Sequence, residues 1–139
     1  MKKFLERFFL VFAFVSTMCL ISCGDDDDNG SSSIYGTWVS TLDDGEEVTV
    51  TIAKNSMSVK WAIEEESETE IYDSFNYDES SHLITAHHCK TIYTYSGGKN
   101  EDDADAYVSC YVNWIDNNHI TLGDKPGDVW EDYGTLTRK

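Results

Sequence analysis

The chain is predicted to be all-β, a small antiparallel barrel of eight strands, on three observations. Apolar and polar residues alternate with period two over most of the chain beyond residue 34. Asn, Asp, Gly and Ser clusters interrupt the alternation at short intervals. Helical periodicity is almost absent there.

The expected strands follow in order. Residues 35–42 open the domain before an Asp44-Gly45 turn. Val48, Val50 and Ile52 then alternate with Glu47, Thr49 and Thr51, and Met57, Val59, Trp61 and Ile63 with Ser58, Lys60, Ala62 and Glu64. Between them Lys54-Asn55-Ser56 makes a tight turn, because Asn tolerates positive φ. Residues 69–77 form a fourth strand, ended by Asp78-Glu79-Ser80-Ser81, and residues 82–95 a fifth, ended by a loop over residues 96–105. Residues 107–115 put Val108, Cys110, Val112 and Trp114 on one face, and Asp116-Asn117-Asn118 turns the chain into residues 119–122. After the 123–128 loop, which holds the sole proline, residues 129–137 give the eighth strand. Eight short strands joined by hairpins suit a barrel, which leaves no open edge. A two-sheet sandwich satisfies the same periodicity.

Tyr35-Gly36-Thr37-Trp38 resembles the G-x-W start of the first strand in lipocalin and calycin barrels, and Arg138 falls where lipocalins place a basic residue over that Trp. In an up-and-down barrel the end of strand eight lies beside the start of strand one. Arg138 would then stack on Trp38, worth roughly 0.5–2 kcal/mol, and close the floor. The chain is shorter than a typical lipocalin and lacks the T-D-Y motif, so it looks more like the compact lipocalin-like domains of bacterial lipoproteins. The resemblance implies a fold rather than a ligand.

Ahead of the domain lies a second resemblance. Lys2, Lys3 and Arg7 precede a fourteen-residue apolar stretch over residues 8–21, too short to span a bilayer, which needs about 20. Leu20-Ile21-Ser22-Cys23 resembles the lipobox of bacterial lipoproteins, which implies acylation of Cys23, palmitate among the acyl groups, and cleavage before it. The expected organisation is a signal peptide over 1–22, an acidic flexible tether over 23–33 and the lipocalin-like domain over 34–139. Gly24 with Asp25–Asp28 resembles the acidic export signal of lipoproteins on the outer face of the outer membrane in gut-dwelling Gram-negative bacteria. A lipid-anchored cell-surface location is therefore expected, with the periplasmic face as the alternative.

Charge narrows the partners. The first 22 residues hold three of the ten basic side chains and one of the 26 acidic ones, leaving seven against 25, a net charge of −18. That excess repels phosphate backbones and anionic lipid surfaces, so no nucleic acid is expected, and the membrane is met only through the acyl chains on Cys23. The acidic runs lack the D-x-[DN]-x-[DN]-G order of a calcium loop and are read as solvated faces.

Four cysteines occur; Cys19 leaves with the signal and Cys23 is lipidated, which leaves Cys89 and Cys110. If the hairpin between their strands turns near residue 100, the two face one another across the ladder, and outside the cytoplasm a disulfide is the first expectation, worth on the order of 3 kcal/mol. Two buried thiols, or a zinc site with His87 and with His82 or His119, are the alternatives. No metal or cofactor is expected, since no C-x-x-C or H-E-x-x-H spacing occurs. Neither does a G-x-S-x-G elbow or a P-loop, and no enzyme is expected.

Trp38, Trp61, Trp114 and Trp130 each fall in an expected strand. They either fill the core or line a cup at the barrel mouth opposite Trp38, with Met57, Trp61, Phe75, Tyr77, Tyr93, Val112 and Trp114 as its walls. Two functions follow. The first is a monomeric, lipid-anchored envelope protein that binds a small hydrophobic ligand. The second is a filled barrel acting through its acidic outer surface as an inhibitor, immunity or accessory protein-binding module.

Overall fold

The computed structural model describes residues 33–139, so the expected signal peptide, Cys23 and the run of aspartates lie outside the described residues. Among the described residues every regular element is a strand: β1 (Gly36–Thr41), β2 (Glu47–Ile52), β3 (Met57–Ile63), β4 (Glu66–Asp78), β5 (Leu83–Tyr95), β6 (Gly98–Asp116), β7 (His119–Gly123) and β8 (Leu136–Arg138). Each pairs antiparallel with the next, and β8 pairs back onto β1, which closes the eight into one ring. The closing ladder is short, with Trp38 opposite Arg138 and Val39 opposite Thr137.

The period-two alternation sorts the side chains. Val48, Val50 and Ile52 of β2 oppose Trp61, Val59 and Met57 of β3, and all six are buried. Ile84, Ala86, Cys110, Val112, Ile120, Leu122 and Leu136 complete the inner face. Each large aliphatic side chain buried there contributes roughly 1.5–3 kcal/mol.

Aromatic side chains stopper the ring at both ends. At one end Trp38 is fully buried, donates its indole N–H to the Ile34 carbonyl at 2.9 Å and meets Trp114 edge-to-face at 5.7 Å. At the other, residues 124–135 fold across the opening. The Trp130 amide bonds the Leu122 carbonyl, the Ser40 hydroxyl bonds the Tyr133 carbonyl at 2.6 Å, and the Tyr133 ring sits 5.4 Å from Trp61. Gly123 permits this return, since a Cβ there would lie 2.6 Å from the backbone of Asp128.

Two expected elements are corrected. The eighth strand does not run from 129 to 137, because residues 129–135 form the stopper and only Leu136–Arg138 enters the sheet. The 96–105 loop does not exist as such, because β5 and β6 join by a hairpin with Tyr95 opposite Gly98. Gly98, at φ +147°, takes a backbone conformation closed to L side chains. β4, β5 and β6 consequently run to 13, 13 and 19 residues and form an arm longer than the other strands. Most of β6 before Cys110 is exposed on both faces, so no apolar alternation marked it as strand.

Candidate functional site

Among the described residues no cup opens at the expected walls. Met57, Trp61, Phe75 and Val112 are 6%, 4%, 6% and 1% exposed, and side chains lining a ligand-sized void would retain far more accessible area. They are core. Tyr77, Tyr93 and Trp114 are half-buried. Tyr93 sits further along the arm, opposite Glu68 and Asn100. Tyr77 and Trp114 meet instead at the Trp38 end of the ring, where the Trp114 indole donates to the Tyr77 oxygen at 3.0 Å. His82 Nδ1 lies 2.8 Å from the same Tyr77 oxygen and completes a hydrogen-bonded chain of three side chains. Burial raises the Tyr77 pKa and so keeps its hydroxyl protonated. These three residues, with Ser33, Glu79, Asp116 and Asn117, line a shallow recess of about 610 Å³.

Arg138 borders the same end. Its guanidinium carbon lies 4.2 Å from the Trp38 ring centroid, and its N–H groups donate to the carbonyls of Ser33, Tyr35 and Asn117. The cation–π contact and these three bonds fasten the start of the domain to its last strand.

Cys89 and Cys110 are both free thiols, which corrects the expected disulfide. The tight hairpin moves the register so that Cys110 faces Ile84, five residues from Cys89, or about 17 Å along the strand, far beyond disulfide reach. Cys110 is a core side chain whose thiol burial pushes up to about 12, so it is no nucleophile at neutral pH. Cys89 contacts the Ile71 carbonyl at 3.4 Å. Among the described residues no three His, Cys, Asp or Glu side chains converge as metal ligands.

The arm carries a different chemistry. His87 bridges its three strands, with Nδ1 2.8 Å from Asp73 Oδ1 on β4 and Nε2 2.7 Å from Asp105 Oδ1 on β6. A ring bonded to a carboxylate at each nitrogen is best served by donating from both, and Asp105 and then Asp73 raise its pKa accordingly. Beyond it, Lys90 and Lys99 flank Glu101 at 3.0 and 2.6 Å, and their hydrogen bonds lower the Glu101 pKa to about 2.

Sequence reasoning missed one surface altogether. On the outer face of β2–β5 the register lays Thr49, Lys60, Thr69 and Ile92 in one cross-strand row and Thr51, Ser58 and Ile71 in the next. The sheet is concave there, so outward-facing Ser67 and Thr94 are only 7% and 6% exposed. The resulting groove encloses about 560 Å³, and no carboxylate lines it despite the chain's acidity. Its signal was available in the hydroxyl residues alternating with the apolar set, but alternation alone gives no curvature.

Compared with known proteins, the chain matches no family model, no curated protein and no solved structure at a significant level.

Proposed function

We propose that this chain is a lipid-anchored, non-enzymatic module of the bacterial envelope, built on a filled, lipocalin-like ring and working through its outer surface as an inhibitor, immunity or accessory protein-binding module. The observation that carries this reading is the burial of Met57, Trp61, Phe75 and Val112, together with stoppers at both ends, which leaves the interior to packing. The acidic excess and the long arm supply the outer features on which a partner would act. Acyl chains on Cys23 hold the module to the outer membrane, at the cell surface in the reading favoured by the acidic residues that follow. Crosslinking in intact cells tests the function: specific capture of an envelope protein is expected, and none would count against it. Protease treatment of intact cells tests the address, and a protected domain would move it to the periplasmic face.

The Tyr77 and Trp114 recess favours a second reading, in which the module takes a small hydrophobic ligand at the tether end of the ring. Trp114 fluorescence would then quench or shift across a panel of lipids, bile acids, haem and flavonoids. A flat response would remove this reading and leave the first intact.

A further inference from the structure

Among the described residues the longest strand has one side with no neighbouring strand over most of its length. β6 pairs with β5 from Gly98 to Tyr111, but β7 meets it only from Tyr111 to Asp116. Among the described residues, 98–110 therefore present a strand edge whose outward N–H and C=O groups have no neighbouring strand. Such an edge is a template for another strand. It is not blunted by shortness or by proline, the only proline being Pro126.

What the edge carries decides which strand can join it. Residues 99–109 hold one lysine and four carboxylates, Glu101, Asp102, Asp103 and Asp105. Glu101, Asp103 and Asp105 recur at every second position, and Tyr107 follows them with 82% of its surface exposed. Two copies of this edge would set carboxylates against carboxylates in either direction, which disfavours pairing of the chain with itself. A basic strand would meet opposite charge at Asp103 and Asp105 of the same row, Glu101 being already paired with Lys90 and Lys99. Among the described residues Tyr107 is the most exposed of the large apolar side chains, and its ring lies 4.8 Å from that of His87, so it is already positioned as an anchor.

We propose that the free edge of β6 is the interaction surface, and that it takes, by strand addition, an extended segment of a partner protein carrying Lys or Arg at every second position and an apolar side chain against Tyr107. Backbone pairing supplies the affinity, and the alternating charges supply register and selectivity. This rests on the reading that the module works through its outer surface.

The test uses the purified protein and two ten-residue peptides of identical composition, one alternating Lys with Thr and Val, the other with its lysines in one block. The alternating peptide should bind at least tenfold more tightly, weaken as salt is raised, and slow amide exchange of residues 98–110 at least tenfold. The variant Asp103→Lys/Asp105→Lys, altered only at exposed positions of that row, should keep its fold by circular dichroism and lose at least tenfold in affinity. Equal affinity for the two peptides, or binding without protection of 98–110, would reduce the effect to unspecific charge attraction and overturn the proposal. Absence of binding would overturn it as well. If cells yield a crosslinked partner that the double variant still captures, the edge is not the site while the outer-surface reading stands.

Discussion

The body of the ring and its β4–β6 arm are built from the same strands to opposite rules. Within the body, between Trp38 and the Trp61–Tyr133 contact, the inward positions are mostly Val, Ile, Leu, Met, Ala, Cys or aromatic, and the Trp38 and Trp61 indoles and the Ser40 hydroxyl donate to backbone carbonyls. Along the arm, His87 bridges Asp73 and Asp105 and Glu101 takes Lys90 and Lys99; where the arm's β4 joins the body, Glu68 and Glu70 stand opposite Trp61 and Val59, and the Tyr72 hydroxyl donates to Glu70. Burial, and then the Glu70 charge, push the Tyr72 pKa up, which keeps that donor protonated. The body is thus held by area removed from water and the arm by hydrogen bonds and charge, so the two should respond to different perturbations.

Core truncation should separate them most sharply. Trp38→Ala removes a fully buried side chain together with its contacts to Trp114, Arg138 and Ile34, and should cost about 3–5 kcal/mol in denaturant unfolding. Gly123→Ala attacks the stopper instead. Its Cβ would sit 2.6 Å from Asp128 backbone atoms, which cannot rotate away, so a loss of about 1–3 kcal/mol is expected. A Gly123→Ala protein as stable as the wild type would show that residues 124–135 are not part of the body.

Thiol chemistry probes the same contrast at lower cost. Both thiols should titrate in denatured, unreduced protein, and in native protein Cys110 should resist alkylation while half-buried Cys89 reacts slowly. A single protected pair in denatured material would restore the disulfide and with it a different β5–β6 register.

The body was legible in the sequence and the arm was not, for one physical reason. Val48, Val50 and Ile52 against Met57, Val59 and Trp61 sort by face because one side of that hairpin is dry, and dryness is what alternation records. Residues 98–109 are wet on both sides, so Glu101, Asp102, Asp103 and Asp105 resemble a loop although they form a strand. The cysteines follow from the turn: one near residue 100 would set Cys89 against Cys110, whereas the turn beside Gly98 sets Ile84 there. Trp130 and Tyr133 carried the opposite ambiguity, since aromatic residues next to an apolar one suit a strand and a stopper equally. The groove and the Tyr77–His82 recess depend on sheet curvature and on which distant residues a turn brings together, and neither is written in a local pattern.

Proton titration should move the arm and leave the body still. His87 has its pKa raised by Asp105 and Asp73, so its contribution is complete below its unfolded value near 6.5 and is lost as pH rises through the higher folded value. Amide exchange around Asp73, His87 and Asp105, corrected for its intrinsic pH dependence, should therefore quicken as pH rises above about 6.5. His87→Gln should flatten that dependence.

Glu101 gives the smallest effect and the opposite sign. Held down to about 2 by Lys99 and Lys90, its carboxylate contributes fully above its unfolded value near 4.3, and that contribution falls away only as pH drops toward the folded value. The group is exposed, so Glu101→Gln should leave the global unfolding midpoint unchanged and register only as faster amide exchange near the Tyr95–Gly98 hairpin at neutral pH. If Glu101→Gln instead lowered the midpoint as far as Gly123→Ala, the arm would be part of the cooperative core, and the division between dry body and charged arm would have to be abandoned.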